Sequence, residues 1–262
     1  MKVSIIMPCF KRMDYLEYGL WSLSQQKISY DIETVILNDY LVDSGAEEIC
    51  NKYKDKLNIK YFFIGQRHTK EKIIKRDQGY ALNIGVKQAK GKIIILTGNG
   101  IFHLNNTIDL IVKPLSENKK ILSTPKFVFF DDGKIIDYLS KNLTRKIAKK
   151  FASFFRFSYR AEYAGRLPYW MAMYKKEFVN IGGHDEDFIG FGGLDDDLIN
   201  RLQLNGLKYY NCNAKIIHLY HPISINPKKN RWEQPQWVYN QFLRLSRKDK
   251  IKRNVDKEWG KI

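Results

Sequence analysis

Three consecutive aspartates, Asp195–Asp197, are the residues of this sequence best suited to moving a proton. Glycine pairs at 182–183 and 192–193 precede them among aromatic residues, and Leu198 and Leu202 follow at helical spacing. The aspartates therefore begin a predicted helix, where the helix dipole stabilises carboxylates. One of them can act as a general base toward an attacking hydroxyl. The alternative is that all three only cap the helix, as at least one is expected to do.

Two other polar segments carry side chains suited to a nucleotide. Asp39 and Asp43 follow an apolar run, and a carboxylate there either accepts hydrogen bonds from ribose hydroxyls or a base edge, or caps the next helix. Arg76 either pairs with a diphosphate through its forked donors or is one solvated charge among neighbouring lysines. Asn83 lies near Arg76 in the sequence, and Gly79 between them allows close backbone approach.

Two histidines, His218 and His221, follow a predicted strand in the segment HLYHP. Imidazole nitrogens bind metal ions and phosphates, so either histidine could hold such a ligand, and a structural role is the alternative for each. The three cysteines, Cys9, Cys50 and Cys212, are widely spaced and form neither a zinc-binding nor a disulfide pattern. A reducing, cytoplasmic location is therefore expected.

The elements that must position these residues alternate between strand and helix. The predicted strands are Lys2–Met7, Thr34–Leu37, Ile59–Ile64 and Ile93–Leu96. The predicted helices begin near Asp14, which is expected to cap the first of them, and near Gly45 and Gly79. This alternation indicates a parallel sheet flanked by helices, in which ligands bind beyond the carboxyl ends of the strands. The candidate residues of the first half follow those ends. Farther along, Lys126–Tyr138 is predicted to form a hairpin around Asp132–Gly133.

Several ordered motifs resemble those of the family 2 glycosyltransferases, which are inverting enzymes of the GT-A fold. SIIMPCFKR looks like the first strand and loop of that family, NDYLVD like its DDGSxD turn, and GYALNIGVKQAKG like the helix before its metal-binding strand. The block YWMAMYKKEFVNIGGHDEDFIGFGGLDDDL resembles an acceptor motif shared with galactosyltransferase-like and chondroitin-synthase-like enzymes. The resemblance covers about Val3 to Pro222.

The resemblance implies a GT-A (Rossmann-like) α/β domain, with a mixed, mostly parallel sheet flanked by helices, over residues 1–225. Residues 226–262 are then a basic, helical C-terminal extension. The implied reaction moves a sugar from a nucleotide-sugar, a UDP-sugar in the first instance, to a glycan or lipid-linked saccharide in polysaccharide biosynthesis.

The resemblance also assigns roles to individual residues. Those implied to bind the sugar donor are Pro8, Phe10, Arg12, Asp39, Arg76, Asn83, Gly98 and Asn99. Asp195 is implied to be the general base, with Asp196 beside it in the catalytic site. Those implied to bind the acceptor are Trp170, Gly192, Gly193 and Asp197. The implied metal ligands are His221 or His218, with Asn99.

Two departures from the family pattern remove negative charge from the site. The family has a DxD motif that binds Mn or Mg, whereas this sequence has Gly98, Asn99 and Gly100, and Leu194 stands where the acceptor motif has glutamate. A hard cation prefers several charged oxygen ligands. Either lysines and arginines, such as those of the basic stretch Arg67–Arg76, replace the cation, or the chain is a catalytically inactive binding module.

The formal net charge of +17 favours anionic partners such as nucleotide phosphates, acidic glycans, anionic lipids or nucleic acid. Arg145–Arg160 has an apolar and a basic helical face, which suits either an interfacial helix on an anionic membrane or a core-packed helix. Because no apolar run is long enough to cross a bilayer, any membrane association is expected to be peripheral, at the inner face. A nucleic-acid-binding protein is the rival class, but without a recognisable motif no nucleic-acid partner is expected.

Overall fold

Eight strands form one mixed sheet in the computed structural model, which describes residues 1–40, 42–43, 45–65, 78–130, 133–141, 170–221 and 234–262. The strands are β1 (Lys2–Cys9), β2 (Asp31–Asn38), β3 (Ile59–Phe63), β4 (Ile93–Thr97), β5 (Ile101–His103), β6 (Ile121–Phe130), β7 (Trp170–Tyr174) and β8 (Lys208–His218). Their order across the sheet is β3-β2-β1-β4-β7-β6-β8-β5.

Eight helices flank this sheet in the described parts of the chain. They are α1 (Met13–Ser24), α2 (Ala46–Lys52), α3 (Gln78–Gln88), α4 (Thr107–Glu117), α5 (Lys134–Lys141), α6 (Lys175–Asn180), α7 (Leu194–Leu204) and α8 (Pro235–Ser246). None of them is long and apolar enough to cross a membrane. The predicted order of strands and helices in the first half is confirmed.

Strands β1 to β4 form the parallel part of the sheet, with β1 paired to both β2 and β4. The mostly apolar, buried runs of β1, β2 and β4 are typical of strands that are buried on both faces, whereas the edge strand β3 is half-buried. Successive side chains of β1 alternate between two cores: Ile5 and Met7 pack on one side of the sheet and Ile6 on the other. The alternation follows from the two-residue period of a strand.

Strand β7 makes the sheet mixed, because it runs antiparallel to both β4 and β6. Thr97 at the end of β4 pairs with Trp170 at the start of β7. The second half of the chain is thereby joined to the parallel half at the edge where ligands are expected to bind.

Two local predictions are wrong. The hairpin predicted over Lys126–Tyr138 is the end of β6 followed by α5, in which Ile135 and Leu139 are both buried at a spacing of one helical turn. Asp14 does not cap α1: the N-cap residue is Arg12, and Asp14 lies in the first turn. An acidic side chain in that turn still interacts favourably with the helix dipole.

Helix α3 lies directly on the parallel strands because Gly85 has no side chain. A Cβ atom built on Gly85 would come within 2.3 Å of Ile6 Cγ2 and 2.7 Å of a Leu37 methyl group. The close contact fixes the helix against β1 and β2. Since α3 leads back toward the start of β4, its N-terminus stands at the carboxyl edge of the sheet.

Glu33 is a buried carboxylate near the start of β2. It accepts hydrogen bonds from the Ser4 hydroxyl, the Lys60 ammonium and the Lys90 backbone N–H, each at 2.5 Å. Burial alone would raise the pKa of Glu33, but these three donors outweigh it and lower the pKa from its usual 4.5 to about 2. The carboxylate therefore connects β1, β3 and the segment after α3.

We expect Glu33→Gln to lower the free energy of unfolding at neutral pH by about 2–3 kcal/mol, because the ionised side chain is bound more tightly in the folded state. The folded-state pKa is depressed, so this stabilisation is complete above about pH 4.5 and disappears as the pH falls toward 2. Urea unfolding at a series of pH values measures the difference between the two proteins.

The control is Asp31→Asn on the same strand, since Asp31 is exposed and its ion pair with Lys2 is 3.9 Å long. This change should cost less than about 0.5 kcal/mol. If wild type and Glu33→Gln differed equally at pH 7 and pH 2, ionisation of Glu33 would not be the source of the stabilisation.

Candidate active site

An aromatic pair with a lysine stands at the carboxyl ends of β1 and β2. The rings of Phe10 and Tyr40 meet edge to face with centroids 5.3 Å apart, and Lys11 Nζ lies 5.1 Å from the Tyr40 centroid. The Asp39 backbone N–H donates to the Cys9 carbonyl at 2.9 Å, which connects the two loops. The structure thus brings the predicted residues Phe10 and Asp39 together. Pro8, two residues before Phe10, is buried in β1.

The turn after β1 has an unusual backbone. Lys11 and Arg12 both have φ of 56°, in the left-handed region that non-glycine residues seldom occupy. The Asn99 side-chain amide donates to the Arg12 carbonyl at 3.4 Å and lies 3.6 Å from Cys9 Sγ. Asn99, between Gly98 and Gly100, therefore stabilises this turn through its side-chain N–H groups.

The two predicted histidines lie beside the same turn. The rings of His218 and His221 are 5.0 Å apart, and the Leu219 N–H donates to the Gly100 carbonyl at 2.9 Å. Burial, together with the nearby His221 and Arg12, lowers the pKa of His218 to about 3. His218 is therefore neutral at physiological pH. Arg12, Asn99 and the two histidines thus form one cluster.

The first turn of α7 carries Asp195 to this edge of the sheet. A Cβ atom on Gly79 would lie 2.8 Å from a Leu194 methyl group, so α7 begins against the N-terminus of α3. Asp195 is half-buried and Asp196 is exposed. Of the three aspartates, Asp195 combines partial burial with access to solvent.

Asp197 has a different environment and lies inside a buried ion cluster. Its carboxylate accepts from Arg201 Nε at 2.7 Å and from Arg253 Nη2 at 2.9 Å. Asp185 pairs with Arg253 and Arg247, each at 2.9 Å. Asp197 was predicted to bind the acceptor, but the structure directs both its oxygens at arginines, so it orients α7 from within.

The side chains of two other predicted site residues, Asn83 and Trp170, also contact other parts of the fold. The Asn83 amide donates to the His184 carbonyl and to Glu186 Oε1, both at 2.9 Å, and accepts from the His184 N–H at 2.8 Å. Trp170 is buried, and its ring packs on His103 with centroids 4.4 Å apart. Both side chains are thus held by partners within the fold. Arg76 and the basic stretch Arg67–Arg76 lie outside the described residues.

Gly192 and Gly193 form the loop before α7, against α8. Gly192 has φ of 93°, and a Cβ atom there would lie 2.3 Å from Trp237 Cδ1, so glycine is required for both reasons. Asn240 of α8 accepts from the Ile189 N–H at 3.0 Å and donates to the Phe191 carbonyl at 3.0 Å. Helix α8 therefore packs against the predicted acceptor loop and holds it by hydrogen bonds.

Sequence reasoning missed several residues of this site. Lys11 and Tyr40 flank Phe10, while Asn240 and Arg253 position the acceptor loop and α7 from a segment predicted to be only a basic extension. Lys11 and Tyr40 each adjoin a predicted site residue, and that adjacency was a usable signal. Asn240 and Arg253 act across 49 or more residues, and no local pattern reveals such partners.

The sequence is similar to two proteins named as glycosyltransferases or polysaccharide synthases. The chain is 27% identical over 142 residues to an uncharacterized glycosyltransferase of Rickettsia bellii (strain RML369-C), covering 53% of this chain and 19% of that protein. It is 25% identical over 154 residues to a chondroitin synthase of Escherichia coli, covering 55% of this chain and 20% of the relative. The chain thus spans about a fifth of the length of these relatives.

The fold also matches a solved structure, that of GalNAc-T7 with UDP, GalNAc and Mn2+. The TM-score is 0.62 at 16% identity, over 90% of this chain and 46% of that one. This likeness confirms the predicted GT-A fold.

Two family models match the sequence. The model "N-terminal domain of galactosyltransferase" matches residues 149–222, around the predicted acceptor motif. The model "Glycosyl transferase family 2" matches residues 4–181, more than half of the chain. With the fold and the motifs in agreement, this chain belongs to glycosyl transferase family 2.

Proposed function

We propose that this chain is an inverting glycosyltransferase that moves a sugar from a UDP-sugar to a glycan or a lipid-linked saccharide. The proposal is carried by the placement of Phe10, Arg12 and Asp39 just beyond the carboxyl ends of β1 and β2, where such folds bind ligands. The helix that begins with Leu194 and Asp195 starts against the N-terminus of α3 at the same edge. Family membership supports the class of reaction. The chondroitin synthase relative supports a role in polysaccharide biosynthesis.

The proposed sugar-donor pocket uses the ends of β1 and β2. Phe10 and Tyr40 offer aromatic surface to a flat base, and Lys11 beside them offers positive charge. Asp39 is the candidate partner of the ribose hydroxyls. Arg12 is the candidate partner of the diphosphate, because a guanidinium binds phosphate oxygens through paired donors.

A divalent cation does not fit the residues around Asn99. The described residues contain no group of three or more His, Cys, Asp or Glu side chains that could hold a metal ion. The Asn99 amide nitrogen is engaged with Arg12 and Cys9, and Gly98 and Gly100 offer no carboxylate. Since Mg²⁺ and Mn²⁺ prefer several oxygen ligands, we derive no step through a cation. Arg12 and Lys11 are the described cations that could stabilise the leaving diphosphate.

In the proposed reaction, the Asp195 carboxylate takes the proton of an acceptor hydroxyl. The hydroxyl oxygen then forms a bond to the anomeric carbon of the sugar. The bond from that carbon to the phosphate oxygen breaks, and its electron pair leaves with the nucleoside diphosphate. A single displacement of this kind inverts the anomeric configuration.

A second candidate is a GT-A domain that binds sugar nucleotides without catalysis. The arrangement of Asn99 favours it, because an amide that supports a turn stands where the family has a metal-binding motif. The two candidates share the pocket and differ only in turnover.

We expect Asp195→Asn to lower the rate of sugar transfer by roughly 10²–10⁴-fold, because the amide cannot accept the proton. Affinity for UDP should not change, since Asp195 acts on the acceptor. The assay follows UDP release with purified protein, and Asp256→Asn, which removes an exposed carboxylate elsewhere, is the control. Wild-type turnover by Asp195→Asn, or a loss found only in Asp196→Asn, would contradict the assignment.

We expect Arg12→Ala to weaken UDP binding by about tenfold or more, because a charge-assisted contact to phosphate is lost. Arg12→Lys should recover part of the affinity. Isothermal titration with UDP and with uridine separates the two parts of the ligand, since uridine affinity should be unchanged. Equal losses for UDP and uridine would show that the turn had collapsed rather than lost a phosphate contact.

We expect wild-type affinity for UDP to change by less than about threefold between Mn²⁺ and chelator, and the double variant Gly98→Asp/Gly100→Asp to gain at least about tenfold from Mn²⁺. The structure allows both side chains: a Cβ at Gly98 meets no described atom within 4 Å, and one at Gly100 meets Tyr15 at 3.5 Å. The matched control is Gly98→Asn/Gly100→Asn. Strong Mn²⁺ dependence of the wild type would contradict the conclusion that the described residues around Asn99 do not fit a cation.

A further inference from the structure

Helix α8 has an apolar face that points away from the protein. Val238, Phe242 and Leu245 are 52%, 67% and 58% exposed, and their spacing of four and three residues puts them on one side of the helix. Tyr239, at 43% exposed, borders this face. These four residues are called the outer face of α8 below. A contiguous apolar surface of this kind usually marks an interaction site.

The opposite side of α8 is firmly attached to the protein. Asn240 and Leu243 are buried, and Asn240 bonds to both Ile189 and Phe191. Arg247 pairs with Asp185 at 2.9 Å. The helix is therefore held in place by its inner side, and its outer face is not required for that attachment.

The charge that follows α8 in the chain indicates what binds there. Lys248, Lys250 and Lys252 lie within six residues of the end of α8 and are exposed, with Asp249 as the acidic residue among them. The whole chain has a net charge of +17. A helix with exposed apolar side chains and an aromatic ring, in a positively charged chain, is typical of helices that lie in the interface of an anionic bilayer.

A second copy of the chain fits this surface less well. A stable dimer buries about 800 Å² on each partner, more than four side chains of one helix provide. Two copies of a chain with a net charge of +17 would also repel each other. An anionic bilayer has neither disadvantage.

We propose that the outer face of α8 docks on the surface of an anionic lipid bilayer. A helix is about 10 Å across, so the bilayer would lie one helix diameter from the Gly192–Gly193 loop. What this means for the acceptor rests on the proposed function. The acceptor class favoured by this arrangement is a saccharide linked to a lipid, with its headgroup beside the loop that leads to Asp195.

The test is flotation of the full chain with vesicles of phosphatidylcholine alone and with about one third phosphatidylglycerol. We expect binding to the anionic vesicles only, weakening as salt is raised. Phe242→Ser/Leu245→Ser should lose about tenfold or more of the bound fraction. The control Leu204→Ser, which removes an apolar side chain that is 47% exposed on α7, should bind as the wild type does.

Three results would overturn the proposal. They are absence of binding to anionic vesicles, equal binding by the double variant and the wild type, and a clearly lower melting temperature of the double variant, which would mean that the face is covered within the chain. Light scattering supplies a fourth: a wild-type dimer that the double variant loses would identify the face as a contact between copies.

Titration with UDP in the absence of vesicles keeps this test separate from the proposed function. Vesicle binding without UDP binding would leave the docking surface in place and remove the glycosyltransferase proposal. UDP binding without vesicle binding would remove the docking surface and leave the glycosyltransferase proposal in place.

Discussion

The position of α7 and of the loop before it depends on one buried cluster of charges. Arg201 is fully buried and donates to Asp197 and to the carbonyls of Ile181 and Gly183, while Arg253 joins Asp197 to Asp185. A buried ion pair adds little net stability, because desolvation offsets much of the Coulomb energy. Its effect is geometric: charges and carbonyls that must all be satisfied allow few alternative positions. The direction of α7, and with it the position of Asp195, follows from that requirement.

The parallel half of the fold could be predicted from the sequence because its signals are local. The apolar run of β1 and the helical period of α3 each lie within about ten residues, and their order indicates the sheet. The hairpin prediction is wrong because the segment carries two conflicting signals. Asp132–Gly133 is typical of a turn, whereas the spacing of Ile135 and Leu139, which are both buried, is helical. Short segments with both signals are the ones that local patterns resolve least well.

The candidate site was only partly predictable for a related reason. Phe10 and Asp39 follow strands and could be found by position alone. Asn83 and Asp197 are polar residues in the right segments, but their side chains are engaged by partners 101 and 56 residues away in the chain. A sequence pattern identifies the segment that reaches an edge of a sheet, and burial decides which side chains of that segment remain available.

The sequence separation within the charge cluster also bears on the order of folding. The strands of the parallel half can pair soon after they are made, whereas Asp197 receives the second of its arginines only when residue 253 is present. Contacts of such separation form late, because a long loop must be closed before they are made. During synthesis on a ribosome, the loops after β1 and β2 would then be in place before the segment carrying Asp195 is held rigidly. The acidic turn would acquire its final orientation only after the rest of the domain has folded.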